Sequence, residues 1–140
     1  MDFFDALVRY EVSLWNAVDQ ELARQGQIQL GQLFALRVLG RHDGQARVQD
    51  LSDDIGITVG AASKLVDRLE RDGLAARRSN PANRRSSLIA LTESGQQALA
   101  SASAVCDEAV ARAVGGEDIH TMTAALRRLQ TRLEPERTRT

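Results

Sequence analysis

A chain of 140 residues, 43% hydrophobic and 26% charged, is one domain's worth of soluble globular protein, and no apolar run approaches the ~18 residues of a membrane span. Its net charge of −1 gives no reason in itself to expect a polyanionic partner, so the distribution of charge has to carry that question. One cysteine, Cys106, excludes an internal disulfide framework, and the acidic start MDFFDALVRYE lacks the pattern of a secretory signal; a cytoplasmic protein is expected.

Residues 2–25 predict one helix. Phe3, Leu7, Tyr10 or Glu11, Leu14, Trp15, Val18 and Leu22 form a broad apolar stripe, and four of the five aromatic residues lie here (Phe3, Phe4, Tyr10 and Trp15). So much apolar surface needs a cover, either the C-terminal helices or a second chain. After Gly26, a second helix is expected from about Leu30 to Arg41, with Leu33, Phe34, Leu36, Val38 or Arg37, and Leu39 on a buried face. His42-Asp43-Gly44 reads as a turn. Metal sites need clustered ligands, so the isolated His42 is expected to be structural or solvated. A short third helix spans Arg47 to Ile55 and closes at Gly56.

Thr58 is a good N-cap for a fourth helix, because its hydroxyl can accept from backbone N–H groups of the first turn. Ala61, Ala62, Leu65, Val66 and Leu69 recur at three-and-four spacing, and Gly73 supplies a left-handed stop. Leu74–Arg78 can run extended, Asn80-Pro81-Ala82-Asn83 is dense in turn formers, and Ser87–Leu91 reads as a short strand. Thr92 caps a long alanine-rich fifth helix bearing Leu99, Ala102, Val105, Cys106, Ala109 and Val110. Gly115-Gly116 breaks it. Glu117 and Asp118 suit the start of a last helix carrying Ile119, Met122, Leu126, Leu129 and Leu133, and the charged tail from Glu134 is expected to fray.

Two short helices joined by a glycine-containing turn, followed by two strands around a basic turn, make a winged helix-turn-helix pattern. Between Thr58 and Ser87, seven basic residues face three acids, so this stretch carries +4 and the rest of the chain −5. Salt bridges along a solvated helix face account for Lys64 and Arg68 beside Asp67. They do not account for Arg84 and Arg85, which have no acid near them in sequence. A local basic footprint on an otherwise acidic chain points to a polyanion.

Catalytic chemistry is missing from the sequence. There is no phosphate-cradling glycine loop, no Cys/His spacing for zinc, and no Ser/His/Asp set, and the adjacent Asp53 and Asp54 point to different helix faces. Cys106 sits in an apolar run beside Asp107 and Glu108, which suits a buried hydrophobe better than a reactive thiol. No enzyme, cofactor or metal site is expected.

From about Ile28 to Gly95 the chain resembles the multiple-antibiotic-resistance-regulator (MarR) family of winged-helix transcription factors. IQLGQLFALRVLGRHDG resembles that family's second helix, GITVGAASKLVDRLERDGLAARR its recognition helix and first wing strand, and NPANRRSSLIALTESG its wing and the Leu-Thr-x-x-Gly that follows. The fold implied is mainly α with a small β-wing, a winged helix-turn-helix plus a helical dimerisation platform. The whole of 1–140 is then one domain, with a DNA-binding lobe at 28–92 and a dimerisation region at 1–27 and 93–134.

The resemblance also implies a homodimeric repressor, released from a pseudo-palindromic double-stranded operator by a small, often aromatic, effector. Carried over position by position, Thr58, Val59, Gly60, Ala61, Ser63 and Lys64 enter the major groove. Arg68, Arg77 and Arg84 meet phosphates, and Arg85 reaches the minor groove. The effector site is expected where Tyr10, Leu14 and Trp15 of the first helix meet the second helix and the start of the fifth. The chain departs from the family pattern in the wing, where Asn80 and Asn83 replace acids, so that Asn83 is expected to hold the Arg85 side chain by a neutral hydrogen bond. A winged-helix module that binds protein in place of DNA is the alternative; it calls for an acidic or apolar wing.

Overall fold

The computed structural model describes residues 2–134. Six helices and one hairpin follow in chain order: α1 (Phe3–Arg24), α2 (Leu30–Arg41), α3 (Val48–Ile55), α4 (Val59–Arg71), β1 (Ala75–Ser79), β2 (Ser87–Leu91), α5 (Glu93–Val114) and α6 (Ile119–Leu133). The expected tail lies mostly outside the described residues. The chain forms two compact units that divide at Val110, within α5.

In the first unit the strands pair antiparallel, with Ala75 opposite Leu91 and Ser79 opposite Ser87. The β1 strand starts one residue later than the sequence suggests, because Leu74 N–H still bonds the Leu69 carbonyl at 2.9 Å as α4 closes through Gly73 (φ +74°). A third short edge joins the sheet where Ile89 N–H donates to the Ala46 carbonyl at 2.7 Å.

Two apolar clusters hold this unit together, and α2 belongs to both. One face of α2 (Ala35, Leu36, Val38, Leu39) packs with Leu51 of α3, with Ala62, Leu65, Val66 and Leu69 of α4, and with Ile89 of β2. Its other face (Leu30, Leu33) packs with Val18 and Leu22 of α1 and with Ala102, Val105 and Cys106 of α5. Phe34 departs from the sequence expectation. It is 38% exposed and lies outside the core, stacked on Trp15 with ring centroids 5.4 Å apart. The period of α2 cannot distinguish a residue aimed at the core from one aimed at a neighbouring helix. Cys106 is buried, as its apolar run suggests.

The joint between hairpin and α5 is tight. Thr92 Oγ1 donates to the Gly73 carbonyl at 2.6 Å and accepts from Gly95 N–H at 3.0 Å, and Thr92 N–H donates to the Leu74 carbonyl at 3.1 Å. A Cβ on Gly95 would stand 1.9 Å from that same Leu74 oxygen. The Leu-Thr-x-x-Gly sequence is therefore a cap and a close backbone approach in one element.

In the second unit, α6 starts at Asp118, whose carboxylate accepts from Thr121 N–H at 3.1 Å and from its hydroxyl at 2.7 Å. Those hydrogen bonds, the side-chain one foremost, hold the Asp118 carboxyl below its ordinary pKa. Met122, Leu126, Leu129 and Leu133 of α6 are all exposed.

Candidate nucleic-acid interface

The turn between α3 and α4 is fixed locally. Gly56 takes a left-handed conformation (φ +79°), and Ser52 Oγ donates to the Ile57 carbonyl at 2.6 Å. Thr58 Oγ1 then accepts from Ala61 N–H at 3.1 Å and caps α4 as its sequence position suggests. His42 does structural work nearby: its Nε2 lies 3.1 Å from Asp54 Oδ2, joining the end of α2 to α3.

With Ala62, Leu65, Val66 and Leu69 turned into the core, the opposite side of α4 faces outward. Thr58, Val59, Gly60, Ala61, Lys64 and Arg68 are exposed, and Ser63 is half-buried. Val59 is 48% exposed, and nothing lies within 4 Å of the position a Cβ on Gly60 would take. The leading end of this helix thus presents small and apolar groups, with Lys64 one turn on.

Arg77 is placed differently from the other cations. One guanidinium nitrogen bonds Glu70 and, at 2.7 Å, Asp67 Oδ1; the other donates to the Ser63 carbonyl at 3.4 Å, and the Arg77 backbone N–H donates to Glu70 at 3.2 Å. Partial burial works against its charge, yet the hydrogen bonds and attraction of Asp67 and Glu70 prevail and raise its pKa. Arg77 ties β1 to α4, with two carboxylates facing its charge. Arg78 likewise donates to the Gly44 carbonyl at 2.7 Å.

The wing turn is knitted by its asparagines. Asn80 Oδ1 accepts from Ala82 N–H and Asn83 Oδ1 from Arg85 N–H, both at 3.0 Å, while Asn80 Nδ2 donates to Ser86 Oγ, also at 3.0 Å. Asn83 therefore fixes the backbone of Arg85, where the sequence suggested that it would hold the guanidinium. A two-residue Asx turn closes a small local ring, whereas reaching the guanidinium would order a long side chain. Lys64, Arg68, Arg84 and Arg85 are all exposed and make no ion pair among the described residues.

A second feature lies in the other cluster of this unit. A cavity of about 280 Å³ opens between α1, α2 and α5. Leu14, Trp15 and Val18 line it from α1, with Leu30 and Phe34 from α2. Cys106 and Val110, from the middle of α5 and not its start, complete the apolar wall, and Glu11 supplies the one charged group. Tyr10, half-exposed on α1, is not part of the lining. Sequence reasoning did not single out Phe34, Val110 or Glu11 for this site, because they meet only when three helices pack. Among the described residues no group of His, Cys, Asp and Glu is arranged to hold a metal, and no helix is long and apolar enough to cross a membrane.

A sequence model of the MarR family matches residues 27–86, from the approach to α2 through the wing turn. Over the whole fold, the chain superposes on CouR from Rhodococcus jostii RHA1, solved with p-coumaroyl-CoA, with a TM-score of 0.84 at 25% identity, covering 99% of this chain and 96% of that one. Residues 27–86 thus resemble the MarR family in sequence, and the chain shares the fold of its solved members. The MarR fold accounts for the mainly helical architecture and the two-stranded wing. Its relatives include the HTH-type transcriptional regulator YfiV of Bacillus subtilis (strain 168), 29% identical over 87 residues, 62% of this chain and 49% of that protein. The match thus spans about half the length of this curated relative. The S. aureus MepR–DNA complex shares the fold, with a TM-score of 0.82 at 23% identity, covering 95% of this chain and 99% of that one. CouR, a transcriptional repressor, has also been solved on a 23-mer DNA duplex (TM-score 0.81, 24% identity, 95% and 93% coverage). The chain is therefore similar in sequence and fold to MarR-family helix-turn-helix transcriptional regulators.

Proposed function

We propose that the protein is a homodimeric, sequence-specific repressor that grips a pseudo-palindromic DNA operator and releases it when a small molecule enters the α1–α2–α5 cavity. The observation that carries this reading is the set of four unpaired cations, Lys64 and Arg68 on α4 and Arg84 and Arg85 on the wing. Arg41, Arg47, Arg71 and Arg77, by contrast, all face carboxylates. Unpaired, solvated cations bind phosphate with no internal partner to give up. Thr58, Val59, Gly60, Ala61, Ser63 and Lys64 form the groove-facing end of α4, and Arg85 is the minor-groove probe. Arg77 positions the wing, in place of the phosphate contact expected from sequence.

Dimerisation is supported by the uncovered apolar groups of α1, where Phe3 and Phe4 are 67% and 69% exposed and Leu7, Val8 and Val12 are exposed as well. The four exposed apolar side chains of α6 add to this. On this reading 1–27 and 93–134 form the dimer region, 28–92 reads DNA, the protein acts without catalysis, and its place is the cytoplasm. The test is recovery of genomic fragments by the purified protein, followed by operator affinity across salt concentrations. Each phosphate neutralised steepens the slope of log affinity on log salt by about 0.9. Removing Lys64, Arg68, Arg84 and Arg85 together should flatten it, and a slope that stays unchanged refutes the assignment.

A further inference from the structure

The cavity described above carries a single charged group in an otherwise apolar lining. Its walls are largely apolar: of the stacked Trp15 and Phe34 rings, Leu14, Leu30 and Val110, only the Trp15 indole carries an N–H donor, and none carries a positive charge that could pair with a carboxylate. The one charged group in the lining is the Glu11 carboxylate, on the same helix face as Trp15 four residues on. Among the described residues, none forms a hydrogen bond or ion pair with the Glu11 side chain. An anionic ligand entering here would lose water, gain no cation, and meet a like charge. A cation would meet an opposite charge at the rim and, alongside it, the negative face of an aromatic ring.

We infer that the effector of this regulator is an apolar, ring-sized molecule bearing a positive charge, an aromatic amine or quaternary ammonium, with Glu11 as the residue that sets its sign. This rests on the reading of the cavity as the effector site. At about 280 Å³ the cavity falls just below the usual span of ligand pockets, which limits the buried part of the ligand to one or two rings.

The test uses three naphthalene probes of like shape on the full-length protein: 2-naphthoate, 2-naphthylmethanol and 2-naphthylmethyl-trimethylammonium. Affinities come from titration calorimetry on the parent, on Glu11→Gln and on Glu11→Arg; the exposed position of Glu11 lets all three fold. The parent should favour the ammonium over the alcohol by about fivefold and bind the carboxylate most weakly. Glu11→Gln should bring ammonium and alcohol close to equal, and Glu11→Arg should turn the preference towards the carboxylate. Equal binding of all three by the parent, or a preference for the carboxylate, overturns the charge inference and leaves the cavity as the site. Val110→Trp, which fills the cavity, distinguishes the other failure. Probes that bind it as tightly as the parent, or that bind neither protein, show that the cavity is not the effector site.

Discussion

Gly95 should be intolerant of the smallest substitution there is. It lies in the first turn of α5, where helix propensity favours alanine over glycine by about 1 kcal/mol in a helix interior. Packing says the opposite. The added methyl would lie 1.9 Å from the Leu74 oxygen, where ordinary contact begins near 3.4 Å, so the two backbones must part by about 1.5 Å. That movement pulls on the Thr92 N–H bond to Leu74 (3.1 Å) and on both bonds of the Thr92 hydroxyl (2.6 and 3.0 Å). Losing an N-cap costs about 1 kcal/mol, a backbone hydrogen bond about 1, and forced separation of packed elements about 1 to 3. Net of propensity, Gly95→Ala should destabilise by about 2 to 4 kcal/mol and lower the melting temperature by roughly 10 °C. Gly60→Ala is the matched control. It too lies in the first turn of a helix, but nothing stands within 4 Å of its Cβ position, so it should be neutral or stabilise by up to about 1 kcal/mol. Thermal melting and urea midpoints of the two variants, measured beside the parent, decide the matter. If Gly95→Ala melts with or above the parent, the close approach does not constrain the joint between wing and α5.

Arg77→Met should cost about 1 to 2 kcal/mol in the urea midpoint and weaken operator binding with its salt slope kept, whereas Arg84→Ala should reduce the slope by about 0.9 and leave stability unchanged. Asn83→Asp keeps the acceptor that holds Arg85 N–H and should change operator affinity only modestly, while Asn83→Ala frees the turn and should weaken it more; fluorescence anisotropy on a fixed operator reads both. The Asp72 carboxyl is held below its ordinary pKa by hydrogen bonds from Arg71 first and Gln32 second, so its contribution to stability is present above the unfolded value of about 3.9 and lost as pH falls through the lower folded value. Asp72→Asn should therefore melt below the parent near neutral pH and converge with it in strong acid. Gln32→Leu should leave binding of both operator and effector in place but weaken the effect of one on the other, measured as the operator affinity ratio with and without effector.

Local chemistry made much of the fold legible in the sequence. Thr58 and Thr92 cap the helices that follow them, Gly73 and Gly115 (φ +57°) end helices in the left-handed conformation, and Ser87–Leu91 forms the strand its apolar run suggests. Each of these follows from one residue's geometry or a short period. Contacts between distant segments were not legible. Asp19 of α1 accepts from Leu30 N–H at 2.9 Å and caps α2, eleven residues away, with no marker in the sequence between. Arg77 looked like its exposed neighbours because it stands seven residues from Glu70 and ten from Asp67, separations that only the turn between α4 and β1 closes. Phe34, expected on a buried face of α2, and Glu11 were tied to one site only once helix packing placed them around the cavity.

The position of α2 explains how such a regulator could couple its two faces. It is the one helix with buried residues in both apolar clusters, so Leu30 and Phe34 touch the cavity while Leu36 and Leu39, on the same rigid rod, pack against α3 and α4. A helix of 12 residues does not bend easily around a ligand; it shifts as a unit. Gln32, on this helix and 7% exposed, donates to Asp72 Oδ2 at 2.9 Å, and Asp72 is the C-cap of α4. Displacement of α2 by a cavity ligand therefore pulls directly on the far end of the helix that the proposed function sets in the major groove. The ligand shifts the equilibrium only by the difference in its affinity for the two placements of α2. A Gln32→Leu variant keeps the buried packing but cuts this link. Full retention of effector-induced release in that variant would mean the coupling runs through the apolar contacts of α2 alone.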